Sequence, residues 1–363
     1  MTMFDQILPQ GSEVLRAHTN DLAGIGPVIV NRDLNGRVRL IFPATADADP
    51  AVRRILKSVV CTLSERLGAH TFPPEQSVLL EDEMATLLEG APSFPLAGIP
   101  NVLVVDRLAT ESNWMTIAPI SEQVLRLVFF SIKGGLGRST ALAASAWVLA
   151  QAGRRVLILD LDLESPGLSA ALLPDERRPG YGIADWLVED LVDRGNAVLE
   201  DLIATSTLAH DGEICVVPAH GRDPGEYVAK LGRVWMSKIG DDGTRENWSQ
   251  RLGRLIDSLE RHLGPDIILI DSRAGIDEIA SGCVTDLGAA LVLLFAIDSE
   301  QTWSGYRILF RHWRRSGVVP DIRERLQLVG AMIPDDQGRP AYLEGLRERA
   351  YLRRGLVRRD PTR

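Results

Sequence analysis

Apolar residues fall into short, nearly continuous runs from Leu125 onward. They are LRLVFFS (125–131), RVLILDLD (155–162), EICVVPA (213–219), DIILID (266–271), AALVLLFA (289–296) and LQLVGAMI (326–333). Runs of this length without alternation suit strands buried on both faces, as in a parallel sheet. Between them, STALAASAWVLAQAG (139–153) and WSQRLGRLIDSLERHLG (248–264) read as helices. Strands alternating with helices predict a doubly wound, mostly parallel α/β domain over 125–363, with its ligand at the C-terminal ends of the strands.

Residues 1–124 carry shorter signals. RVRLIFP (37–43) reads as a strand, and Ala51 to Leu67 as a helix with Ile55, Val59, Leu63 and Leu67 on one face. After the break at Pro73 and Pro74, SVLLEDEMATLLEG (77–90) predicts a helix ending at Gly90, and NVLVVDRL (101–108) a strand. This predicts a small α/β domain. It holds no chemical motif, so its expected role is regulatory or partner-binding.

Composition narrows the function classes. The 363 residues are 45% hydrophobic and 25% charged, values that suit a folded chain with a sizeable core. The net charge of −9 provides no overall basic field for nucleic acid. Cys61, Cys215 and Cys283 are too scattered for a disulfide framework or a zinc cluster and read as buried small residues. No apolar run approaches the roughly 18 residues of a membrane span, and the N-terminus lacks a signal-peptide pattern. The expected location is the cytoplasm.

The chemistry concentrates in SIKGGLGRST (131–140), where a strand gives way to a helix. Gly134, Gly135 and Gly137 let the backbone turn tightly around a phosphate, and the following helix offers its positive N-terminus. Ser139 supplies a hydroxyl for Mg²⁺, with Thr140 nearer the α-phosphate. The strict pattern G-x-x-x-x-G-K-[ST] is not met, because Ile132 and Arg138 stand where it requires glycine and lysine. Two further strands end in carboxylates. Asp160 and Asp162 alternate at the end of RVLILDLD and are expected to face the same side, toward the phosphates. DIILIDSRAGIDE (266–278) closes on Asp271, followed by Arg273 and Gly275.

These motifs, in this order over residues 124–333, resemble the deviant Walker ATPases of the ParA/MinD family, whose loop reads K-G-G-x-G-K-[ST]-[ST]. The resemblance implies ATP and Mg²⁺ as cofactors. It implies that Lys133 is the signature lysine, reaching across an ATP-bridged homodimer, and that Gly134, Gly135, Gly137, Arg138, Ser139 and Thr140 hold phosphate. Asp160 and Asp162 match the family's D-x-D element, Asp162 positioning the attacking water. Asp271 would support Mg²⁺ through water, and the Gly275 amide would sense a γ-phosphate. Arg138 departs from the family's lysine. A planar fork still pairs with phosphate, whereas transition-state geometry depends on a placed charge, so binding is expected to survive better than turnover. Arg273 replaces a usual proline and suits a surface position, a dimer contact or a phosphate ligand. The last strand ends in GAMIPDD, without the asparagine that commonly reads adenine.

The implied function is an ATP-binding, dimerising switch with slow hydrolysis that controls a protein partner not identifiable from sequence. The alternative is a nucleotide-gated scaffold with negligible turnover because of Arg138. A related tyrosine kinase is disfavoured: only Tyr342 and Tyr351 stand near the end, without a terminal tyrosine cluster. His220, in a loop, reads as a surface hydrogen-bonding residue; Trp186, Trp235, Trp303 and Trp313 read as core. The acidic stretch 184–193 reads as a solvated helix face. The C-terminal stretch 347–363 carries seven arginines against Glu348 and Asp360, but a solvated tail is favoured over DNA or anionic-membrane contact.

Overall fold

The computed structural model describes residues 2–351, apart from 89–91, 97, 109–113, 210 and 241. The chain divides into two compact units, Met1–Glu111 and Ser112–Arg363.

The first unit is built on strands β1 (Val28–Arg32), β2 (Val38–Pro43), β3 (Val78–Glu81), β4 (Ser93–Pro95) and β5 (Val102–Asp106), in the order β3-β2-β1-β5-β4. Alternation along these strands separates two faces. Val28, Val30, Leu40, Phe42, Val102 and Val104 pack beneath the helices Ile7–Ala17 and Pro50–Leu67. Ile29, Ile41 and Val105 lie on the other side, against Leu79, Met84, Leu87 and Leu88. The segment expected as one helix over 77–90 is instead strand β3, paired in parallel with β2 from Leu40↔Val78 to Pro43↔Glu81, followed by a 3-10 turn at Thr86–Leu88. Its adjacent apolar residues extend the sheet edge, a gain that local periodicity does not register. Gly90, the expected helix end, lies outside the described residues. Strand β1 escapes the sequence pattern because it contains an arginine; Arg32 is buried in an ion pair with Asp106 on β5.

The second unit holds β6 (Leu125–Ser131), β7 (Arg155–Asp160), β8 (Ala204–Thr205), β9 (Glu213–Val217), a two-stranded ribbon of β10 (Lys238–Ile239) and β11 (Arg245–Glu246), then β12 (Ile267–Asp271), β13 (Leu291–Ala296) and β14 (Leu326–Gly330). Seven of them form one sheet in the order β14-β13-β6-β12-β7-β9-β8, parallel throughout except where β8 meets β9. The fold is thus mixed α/β with a large, mostly parallel sheet buried on both faces. On one side Val128, Phe130, Ile268 and Ile270 pack with Leu252, Leu255, Trp303 and Trp313; on the other Phe129, Ile158 and Leu269 pack with Leu142 and Ala146. The order places β6 between β13 and β12. The crevice at the carboxyl ends of β6, β12 and β7 is where such a sheet binds ligands.

Segment 114–124, expected in the first domain, packs with the second unit. Trp114 lies against Phe130 and Trp313, and the amides of Ala118 and Ser121 donate to the carbonyls of Thr285 and Gly288. Trp186, Trp303 and Trp313 are fully buried, and Trp235 meets Trp248 edge-on. The stretch 184–193 corrects a sequence expectation. Asp185 and Asp190 are buried, and Asp190 binds Arg251 at 2.8 Å and Arg254 at 2.9 Å. Arg251 is itself wholly enclosed, so Asp190 belongs to an interior ion-pair cluster, whereas Asp193 is exposed as expected of a solvated face. Cys215 and Cys283 are buried thiols; burial pushes Cys215 up to about 11 and Cys283 further still, which leaves both unreactive.

Burial also pushes the Asp286 carboxyl up to about 6, against hydrogen bonds from Thr285 and Ser249 that lower it, with Glu278 raising it further. The folded chain therefore holds this proton more tightly than the unfolded chain, whose carboxyl titrates near 3.8. Burying Asp286 costs nothing below the unfolded value, and its full cost is felt above the folded one. An asparagine amide can donate to Ser249 Oγ, which already donates to Asn247 Oδ1 at 3.0 Å. Asp286→Asn should raise the calorimetric Tm by about 2–6 °C at about pH 8, with the gain vanishing near about pH 4. A pH-independent difference would contradict this.

Candidate functional site

Strand β6 delivers Ser131 to the sheet's carboxyl edge, residues 132–137 turn, and the helix Arg138–Gln151 departs. Gly135 and Gly137 take φ of +75° and +77°, a region that costs any side chain dearly. Gly134 does not, and no atom lies within 4 Å of where its Cβ would stand. Packing explains glycine elsewhere: a Cβ on Gly182 or Gly221 would strike backbone at 2.4 or 2.1 Å. Neither packing nor dihedral demands glycine at 134. What a side chain there would fill is open concavity over a helix N-terminus, which fits close approach by a phosphate.

The predicted phosphate residues divide into two groups. Lys133, Gly134, Gly135, Gly137 and Thr140 line this exposed loop, and Lys133 makes no ion pair or hydrogen bond among the described residues. Arg138 and Ser139 turn inward. The Arg138 guanidinium is buried; Nε donates to Asp271 Oδ1 at 2.6 Å, Nη1 to Ser131 Oγ at 3.2 Å, and Nη2 reaches Asp162 Oδ2 at 3.4 Å. Ser139 Oγ donates to the other Asp271 oxygen at 2.6 Å. Arg138 is thus held by the acids at the ends of two strands, in place of the phosphate-facing position expected of it.

The strand-end acids also separate. Asp271 and Asp160 stand level on the adjacent strands β12 and β7. Asp160 is fully enclosed and accepts from Ser169 Oγ at 2.7 Å, Ser169 N at 3.1 Å and Asp162 N at 3.4 Å, so it anchors both ends of the 162–167 loop. Burial pushes its carboxyl up to about 6 despite those bonds. Asp162 lies past the strand end. Burial raises its carboxyl while Arg138 lowers it, and Oδ1 is buried without a hydrogen-bond partner. An unsatisfied carboxylate oxygen beside the loop suits a group that orients a water.

Gly275, at φ +113°, spends its amide on the Ser131 carbonyl at 3.0 Å. A phosphate could take that amide only by breaking this bond, which departs from the expected free sensor. Arg273 binds Glu164 at 2.7 Å and Asp277 at 3.4 Å, joining the loop after β7 to the loop after β12. Tyr227 donates to the Leu163 carbonyl at 2.7 Å and meets His220 edge-on, so His220 packs under that same loop. Ser131, Glu164, Ser169 and Tyr227 support the site without any motif of their own.

Among the described residues no group of three or more His, Cys, Asp or Glu side chains could hold a metal ion. Ser139 Oγ and the Asp271 carboxylate are hard oxygen donors of the type Mg²⁺ takes beside a nucleotide. The donor types fit, and each Asp271 oxygen already accepts one hydrogen bond, from Arg138 and from Ser139. No described helix is long and apolar enough to cross a membrane. In the basic stretch 347–363, Arg349 pairs with Asp298 and Glu300, and residues 352–363 lie outside the described part.

Residues 127–303 match the family described as the CobQ/CobB/MinD/ParA nucleotide binding domain. Among solved structures, the chain is similar to a plasmid partition protein from Borrelia burgdorferi, at 15% identity over 62% of this chain and 86% of that one, TM-score 0.42. It is also similar to cobyrinic acid a,c-diamide synthase from Mycobacterium smegmatis with bound ATP analog and magnesium, at 18% identity over 63% and 82%, TM-score 0.45. The MinD cell division protein of Aquifex aeolicus shares 20% identity over 57% of this chain and 69% of its own, TM-score 0.37. No curated protein matches the chain.

The Arg273–Glu164 pair is partly exposed, so it restrains two loops without supporting the fold. Glu164→Gln should speed amide exchange over residues 162–167 by about two- to fivefold, the equivalent of a pair worth up to about 1 kcal/mol, and leave Tm unchanged. Unaltered exchange would show that the pair restrains nothing.

Proposed function

We propose, from the premise that residues 127–303 form a CobQ/CobB/MinD/ParA nucleotide-binding domain, that this chain is a nucleoside-triphosphate-dependent switch that dimerises. The observation that carries the reading is the open cradle at Gly134–Gly137, where glycine serves neither packing nor, at Gly134, the dihedral. ATP is the family's usual nucleotide. Its phosphates would lie against the loop amides and Thr140, with Mg²⁺ held by Ser139 and, through water, Asp271. When bound, the ion would neutralise phosphate charge. Asp162, with one oxygen free of hydrogen bonds, would orient the attacking water.

Lys133 is exposed on the loop and makes no bond among the described residues, so its charge is available to a second protomer. Two triphosphates enclosed between protomers would need such cations once water is excluded. The slow-turnover form of the switch is supported by Arg138, whose guanidinium is committed to Asp271 and Asp162. The same observation favours the second reading, a nucleotide-gated scaffold with negligible hydrolysis; phosphate release with and without a partner separates the two. A protein partner would be read by the first unit, by the 174–250 region or by the C-terminal stretch.

Gly134→Val should fold normally, since open space surrounds the new side chain, yet lower ATP affinity at least tenfold, about 1.4 kcal/mol, in calorimetry. Unchanged affinity would remove the nucleotide from this loop.

Dimerisation is read by light scattering. Wild type should show the dimer mass with ATP and half of it with ADP. Lys133→Ala should lose the ATP-dependent dimer while nucleotide affinity changes less. Asp162→Ala should hold the dimer longer by slowing hydrolysis. The same wild-type mass in both nucleotides while hydrolysis proceeds would overturn the bridged-dimer reading.

A further inference from the structure

Arg138 stands where the loop pattern has lysine, and it carries a fixed positive charge into the group of strand-end acids. Its three nitrogens serve three groups at once: Asp271, Ser131 and Asp162. Both Asp271 oxygens accept a short hydrogen bond, the second from Ser139 Oγ at 2.6 Å. Both Arg138 and Asp271 are buried, as is Asp160 beside them, so these charges see little solvent screening. A guanidinium cannot shed its proton, and its planar fork holds two carboxylates in a way a lysine ammonium does not.

A dication entering beside Ser139 would meet this guanidinium at close range. To use Asp271 through a water, it would have to share a carboxylate that Arg138 Nε already holds at 2.6 Å. The Asp271 carboxylate meanwhile has a buried cation at 2.6 Å, so it does not need the ion to offset its charge when phosphate arrives.

We propose that Arg138 is an internal counter-ion that competes with Mg²⁺ for Asp271, so that triphosphate binding to this loop depends little on the metal. This rests on the reading that the 132–140 loop binds nucleotide, and narrows it: an ion at Ser139 and Asp271 would add little to triphosphate affinity. Lysine at 138 lacks the planar fork that spans Asp271, Ser131 and Asp162 together, so Asp271 would lie more open to a metal-bound water and metal dependence would return.

The test is calorimetric titration of the full chain with adenylyl imidodiphosphate, and in parallel guanylyl imidodiphosphate, in Mg²⁺ and in EDTA. Wild-type affinity should differ less than about threefold between the two conditions, and Arg138→Lys should bind about tenfold or more tighter in Mg²⁺ than in EDTA. Wild type gaining tenfold or more from Mg²⁺ would overturn the proposal, and that comparison needs no variant to fold. A folded Arg138→Lys that stays indifferent to Mg²⁺ would overturn it as well, by showing that the arginine is not what excludes the metal. Absence of binding to either analogue in either condition would reject the nucleotide reading itself, and the proposal with it; metal-dependent wild-type binding rejects the proposal alone.

Discussion

The buried pair between Arg138 and Asp271 organises the second unit's carboxyl edge. One partner opens the helix that follows the glycine loop, and the other closes β12, so the pair ties the loop to the strand beside it. Ser131 and Asp162 join through the same guanidinium, and Ser139 through the same carboxylate. Removing one member of such a pair leaves an uncompensated charge away from water, a loss of about 3–5 kcal/mol. The outer loop residues carry no comparable constraint, which leaves Lys133, Gly134 and Thr140 exposed and free to meet a ligand.

A second layer regulates how far the surrounding loops can move. Asp160 and Ser169 fix one end of the 162–167 loop, Tyr227 holds its middle through Leu163, and Arg273 joins it to the loop after β12 through Glu164. Gly275 returns its amide to Ser131, closing the ring of contacts on β6. A ligand at the glycine loop would therefore be felt at both flanking loops through particular bonds: Gly275 to Ser131, and Asp162 to Arg138. That coupling is what a switch requires, two arrangements of the same contacts with a ligand biasing one.

Much of this was legible in the sequence where the signal is local. The six apolar runs after Leu125 are the six main strands because burial on both faces writes itself as continuous hydrophobicity, and the glycine loop stands between the first strand and helix as its composition demands. What escaped depends on partners far along the chain. Arg138 meets Asp271 across 133 positions and Asp190 meets Arg251 across 61, so a phosphate ligand and a solvated acidic face were natural local readings of residues that tertiary structure buries. Residues 77–90 failed for the same reason. Residues 78–81 gain more by pairing with β2 than a short amphipathic helix would gain alone. Asp160 and Asp162, equivalent by strand alternation, part because β7 ends at Asp160 and alternation ends with it.

The central claim, that Arg138 and Asp271 act as one buried unit, is tested most directly by a double-mutant cycle read from denaturant unfolding of the full chain. Arg138→Met, Asp271→Asn and the double variant, compared with wild type, isolate the energy the two side chains share. The structure predicts a coupling of about 2 kcal/mol or more, with the double variant more stable than the sum of the single losses allows. A coupling within about 0.5 kcal/mol of zero would mean that the two charges are solvated separately, and would contradict the account.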